Sequence, residues 1–141
     1  MTSPLTEPAP AKVNLALSVG PPRQDSLHPI CSWMVTVDLL DEVHVTALAP
    51  GSISRYAVTW HDDARRRSDI DWPIADDLAV RAHLELERVA GRTLPVQAHI
   101  EKRIPVGAGL GGGSADAAAM LRAVNRIYEL GLDQSHLRHI G

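Results

Sequence analysis

The chain has 141 residues, a formal charge of −3, 45% hydrophobic residues and a single cysteine. That is the size of one ordinary domain with apolar content for one core, and its slight acidity argues against general affinity for nucleic acid. No run approaches the roughly 18 apolar residues of a membrane span, and the start MTSPLTEPAPAK lacks the pattern of a secretory signal. The expectation is therefore a cytoplasmic protein, with Cys31, which has no CxxC partner, as a small buried hydrophobe.

In chain order, KVNLALS (residues 12–18) alternates strictly, setting Val13, Leu15 and Leu17 on one strand face and Lys12, Asn14 and Ala16 on the other. GPPRQDSLHP is a turn-rich connection. WMVTVDLL and EVHVTALA are β-branched runs that an acidic break at Asp41 and Glu42 divides into two neighbouring strands. SRYAVTW adds a short strand, and HDDARRRSDID after it, with three arginines among four acids, reads as a solvated loop. In DDLAVRAHLELERVAG, Leu78, Ala82, Leu86 and Val89 recur at helical spacing, with Asp76 or Asp77 to cap the start and Gly91 the end. PVQAHIEKRI alternates as a strand. A second helix follows the glycines, with Ala117, Met120, Leu121, Val124 and Tyr128 as its apolar stripe; Gly131 closes it and DQSHLRHIG begins a third.

Chemistry enters at KRIPVGAGLGGGSADAAAM, where five of the seven positions 107–113 are glycine and a helix pattern begins at once. Glycines let backbone N–H groups approach an anion closely, and the following helix adds its positive end, so the site suits a polyphosphate. Gly107, Gly109 and Gly112 satisfy the dinucleotide spacing GxGxxG, but the second parallel strand with an acid at its end does not follow. The GxxxxGK[ST] loop fails for want of a lysine after the glycines. A purely connective turn remains as the plain alternative.

PVGAGLGGGSADAAA resembles the phosphate-binding loop of the GHMP small-molecule kinases. Together with APAKVNLAL, a histidine in the turn after that strand, and VDLLDEV, it is similar to family members that act on a cytidine diphosphate-linked polyol. The resemblance runs from about Ala9 to the last residue. It implies an α/β (α+β) fold over residues 1–141, the GHMP kinase N-terminal domain of ribosomal protein S5 domain 2-like type, a mixed sheet backed by helices. It also implies transfer of the ATP γ-phosphate to a small-molecule hydroxyl with Mg2+, and neither nucleic acid nor membrane as partner. Homoserine- or mevalonate-type kinases are the alternative within the family, and a non-catalytic nucleotide-binding remnant outside it.

Carried over by motif, Pro105, Val106, Gly107, Ala108, Gly109, Leu110, Gly111, Gly112, Gly113, Ser114 and Ala115 wrap the ATP phosphates, with Ser114 as helix cap and hydroxyl donor. Lys12 takes the place of the catalytic lysine and shares its face with Asn14 on the substrate side. On composition alone Lys12 would be an ordinary solvated lysine. His28 matches a histidine that meets the cytosine ring, although Ser26 and Leu27 stand where relatives carry Gly-Tyr. Asp77 falls near the adenine and also suits a helix cap. Asp116 follows the loop closely enough to stand on the metal side but reads first as a carboxylate favoured by the helix start, and Asp38, Asp41 and Asp133 read as turn or cap residues. The catalytic aspartate of the resembled kinases lies beyond residue 141, so the expectation is an N-terminal part with little turnover alone. Its uncovered apolar surface would favour a homodimer or poor solubility.

Overall fold

The computed structural model describes residues 3–140. Four strands, β1 (Leu5–Val19), β2 (Ile30–Ala47), β3 (Arg55–Trp60) and β4 (Val96–Lys102), form one sheet in the order β1-β2-β4-β3. β1/β2 and β2/β4 are antiparallel and β3/β4 parallel, so the sheet is mixed, as expected. The parallel pair needs a crossover, supplied by α1 (Leu78–Ala90). α2 (Gly112–Ile127) packs on α1, β1 and β2, and α3 (Gln134–Ile140) follows.

β1 begins at Leu5, earlier than the alternation of residues 12–18 indicates, and takes in Pro8 and Pro10. It is an edge strand, where a residue without an N–H leaves no gap in an inner ladder. Register shifts between Pro10 and Lys12 and between Asn14 and Ala16 bend it. The two runs about Asp41 and Glu42 are one strand, β2, not two. No break is needed because the Asp41 carboxylate is buried with hydrogen-bond partners of its own, while Glu42 points to the opposite face.

The core lies between the sheet and the helices. Val43, Val45, Val96, Ala98 and Ile100 meet Ala82 and Leu86 of α1 and Met120 and Val124 of α2. Burying a side chain such as Leu86 or Ile100 contributes about 1.5–3 kcal/mol. The caps of α1 are as anticipated: Asp77 accepts from Ala79 N at 2.9 Å, and Gly91 ends the helix at φ 64°. Its buried stripe is rotated from the expected one. Leu78 and Val89 are exposed, and His83 takes an inward position with Ala79, Val80, Ala82 and Leu86. Nε2 of His83 donates to Leu94 O at 2.9 Å, which leaves Nδ1 to accept from the Tyr56 hydroxyl at 2.7 Å. Burial lowers its pKa, consistent with a neutral ring.

The far part of the β1–β2 hairpin projects beyond the helices. Cys31 lies there and is exposed, contrary to the buried position expected of a lone cysteine.

Candidate active site

The connection from β4 to α2 makes one wall of a cleft of about 390 Å³. Gly107, Gly109 and Gly111 all have φ near +72°, a left-handed conformation that L side chains resist. Gly111, Gly112 and Gly113 each allow a separate close approach. A Cβ would stand 3.0 Å from Lys12 Cγ at the first, 3.0 Å from Ile104 Cγ2 at the second and 3.1 Å from Leu78 Cδ1 at the third. The run therefore draws β1, the end of β4 and the start of α1 onto one helix start, more than a connective turn requires.

Gly111 is the helix cap, and the Ala115 N–H is bound to Gly111 O at 3.0 Å. The amides of Gly112, Gly113 and Ser114 are the unpaired donors of this helix start. Two expectations change accordingly. Ser114 lies inside the first turn and makes no cap bond. Ala115 has its N–H committed to the helix and packs against the core, so it leaves the cradle, which runs from Pro105 to Ser114.

Lys12 is fastened to this wall: its backbone N–H donates to Leu110 O at 2.9 Å and its methylenes lie along Gly111. Its Nζ donates to Asn14 Oδ1 at 3.3 Å, so the shared strand face holds. Asp77 lines the cleft as well as capping α1, and its second oxygen accepts from Trp72 Nε1 at 3.1 Å. His28 is elsewhere. It sits at the hairpin tip, where Nδ1 donates to Gly20 O at 2.8 Å; from Lys12 to Val19 alone the strand runs on the order of 20 Å.

The cleft also holds a cluster that the motif reading missed. Lys102 Nζ donates to Asp41 Oδ2 at 2.7 Å and to Asp116 Oδ2 at 2.6 Å, all three residues being buried. Asp41 Oδ1 accepts from the amides of Arg103 (2.5 Å) and Ile104 (2.8 Å), the two residues that lead into the glycine run. Asp41 is thus no turn residue but the anchor of the loop's entry. Asp116 sits past the first turn of α2, so ion pairing rather than the helix end accounts for it. Burial pushes the Asp116 pKa up to about 7 despite the Lys102 charge. Burial likewise opposes the Lys102 charge, but the two carboxylates outweigh it and raise that pKa. Asp116 Oδ1 has no partner. The signal was present in the strand: residues 96, 98, 100 and 102 share the inward face, and the last of them is a lysine.

Asp133 accepts from His136 N at 2.9 Å and caps α3, as expected. A larger depression of about 820 Å³ lies between α1, α2 and α3, lined by Leu78, Ala82, Leu121 and Leu137 with arginines about them. It has only Ser114 in common with the glycine wall, and the run of free amides lies in the smaller cleft.

Residues 77–141 match the family model for the GHMP kinases N terminal domain. The 4-diphosphocytidyl-2-C-methyl-D-erythritol kinases of Bordetella parapertussis and Burkholderia mallei are each 40% identical to the chain. Those matches cover 94% of this chain and 41% and 42% of the relatives. A crystal structure of 4-(cytidine 5'-diphospho)-2C-methyl-D-erythritol kinase superposes with a TM-score of 0.72 at 34% identity, over 97% of this chain and 46% of the other. Homoserine kinase from Cytophaga hutchinsonii, 19% identical, shares the fold with a TM-score of 0.68 over 99% of this chain and 40% of its own. The chain spans about two fifths of the length of the curated relatives it matches.

Proposed function

We propose that the chain belongs to the GHMP kinase family and forms the ATP-binding part of a 4-diphosphocytidyl-2-C-methyl-D-erythritol kinase. In this reading the free amides from the glycine run hold the ATP phosphates at the start of α2, where the helix end favours negative charge. Lys12 meets the phosphoryl group in transfer, and Asn14 positions the lysine and the acceptor hydroxyl. Trp72 and Asp77 border the adenine side. His28, at the hairpin tip, contacts the cytosine edge of a substrate long enough to lie along the hairpin. The role is a step of non-mevalonate isoprenoid biosynthesis in the cytoplasm. The observation that carries the reading is the bond from Lys12 N to Leu110 O, which joins the one lysine of the strand to the phosphate cradle.

Mg2+ accompanies ATP in this family, yet the carboxylates of the cleft do not suit a metal held by the chain. Asp41 and Asp116 share an ammonium that repels a second cation, and Asp77 has both oxygens engaged. The ion is best carried by the phosphates themselves, and no step here depends on a protein ligand to it.

The test is transfer of the γ-phosphate of ATP to 4-diphosphocytidyl-2-C-methyl-D-erythritol, homoserine or mevalonate, using the protein with all of its natural sequence. Phosphorylation of the first alone is expected. Lys12→Ala should lower turnover by roughly 100-fold while ATP affinity stays within about threefold. Transfer to another acceptor overturns the substrate, and absence of ATP binding overturns the kinase reading.

A further inference from the structure

On the sheet face turned away from the helices, β2 and β4 set four titratable side chains in a square. Glu42 pairs with Glu101 and His44 with His99 across the strands. The opposite phase of the same strands carries Asp41, Val43, Val45, Ile100 and Lys102 into the interior, so this square is separate from the phosphate cleft.

Two carboxylates directly opposite each other destabilise a strand pair unless a positive charge lies between them. Their immediate neighbours here are imidazoles. His44 Nε2 is 3.7 Å from Glu42 Oε2 and 3.8 Å from Glu101 Oε2, and one donor atom from each of the three lies within 4.8 Å of the others. His99 Nδ1 is 3.9 Å from Glu101 Oε1, and the two imidazole centroids are 5.9 Å apart. Arg103 Nη1, at 3.7 Å from Glu42 Oε2, is the other cation in reach.

Both rings are held from behind. Thr6 Oγ1 on β1 is 2.8 Å from His44 Nδ1, and Thr59 Oγ1 on β3 is 2.7 Å from His99 Nε2. Each hydroxyl can accept from the ring nitrogen it faces, and in that tautomer the other nitrogen, Nε2 of His44 and Nδ1 of His99, presents its lone pair on the side of the glutamates. This is how a histidine ligand is oriented: the outer nitrogen donates a hydrogen bond and the inner one offers its lone pair.

We propose that Glu42, His44 and Glu101, with His99 as fourth ligand, form a binding site for a borderline divalent transition ion, Zn2+ in the first instance. Mixed imidazole and carboxylate donors suit Zn2+ better than the hard cations that prefer oxygen alone. With bonds near 2.1 Å, donors of a tetrahedral site lie roughly 3.4 Å apart. The spacings from His44 to the two glutamates and from His99 to Glu101 therefore need to close by a few tenths of an ångström, while the two glutamates, within 4.8 Å of each other, and the His99 ring adjust by side-chain rotation. The ion clips β2 to β4 and neutralises the facing carboxylates.

Binding of Co2+ and Zn2+ to the full chain tests this without reference to activity. Equimolar Co2+ should give the intense visible bands of tetrahedral coordination, Zn2+ should displace it, and Zn2+ should raise the unfolding temperature. His44→Ala and Glu101→Gln should each weaken Zn2+ at least roughly tenfold. Without metal, Glu101→Gln should unfold at the same temperature as the native chain or higher, because a repulsion is gone. Should His44→Ala fail to fold, His44→Gln keeps a polar group beside Thr6 and is expected to lose the metal equally. Affinity unchanged in these variants overturns the site, as does binding lost instead on replacing His136 and His139 of α3.

Discussion

The two halves of the β1–β2 hairpin both carry apolar side chains along the paired strands and meet opposite fates. At the root, Ala9, Ala11, Val43 and Val45 are sealed under α2. In the arm, Leu15, Leu17 and Trp33 keep 56%, 54% and 69% of their surface exposed. Alternation therefore records which way a side chain points and says nothing of whether another element covers it. The Lys12–Gly111 contact lies at the junction, so the glycine run rests on the sealed half, whereas His28, proposed to meet the cytosine, belongs to the open one.

The contrast is broken most severely at Gly111. Gly111→Val meets both a φ of +72° and the Lys12 side chain, and is expected to abolish nucleotide binding, whereas Trp33→Ser in the arm should leave ATP affinity unchanged. Titration of a fluorescent ATP analogue compares the two, and equal affinities would separate the loop from the nucleotide. Next in size is the packing difference. Ile100→Ala should cost about 2–5 kcal/mol in urea unfolding and Leu17→Ala less than about 0.5 kcal/mol. A comparable loss at both positions would mean that the arm is covered in solution.

The smallest effect concerns charge under the root. Because the Asp116 pKa is held at about 7, against 3.8 for a solvated carboxyl, the folded chain binds more protons than the unfolded one between those values. Stability accordingly falls as the pH rises through that window and is greatest, for this group, below it. Asp116→Asn should flatten the decline, since Lys102 keeps Asp41 as its partner. Urea midpoints taken at about pH 5 and about pH 8 give the slope, and an unaltered slope in the variant would assign the titration to another group.

Much of this was legible because local chemistry decided it. The caps at Asp77 and Gly91, the glycine run ahead of a helix and the shared face of Lys12 and Asn14 depend on near neighbours in the chain. What was missed depends on distant ones. The partners of Asp41 are Lys102, Arg103 and Ile104, some sixty residues away, so an acid within an apolar strand resembled a break. Cys31 looked like core because nothing in its own neighbourhood shows that the helices stop short of it. His83 escaped the helical stripe because its two partners, Tyr56 and Leu94, lie on other elements.

Pro8 and Pro10 carry a consequence for colloidal behaviour. They occupy the edge strand just ahead of Lys12, and neither can donate to an incoming chain. A foreign strand seeking to extend the sheet would find its ladder interrupted there, which makes the root a poor template for cross-β growth. The residues that guard the sheet against aggregation and the lysine that leans on the glycine loop are thus one short segment of chain.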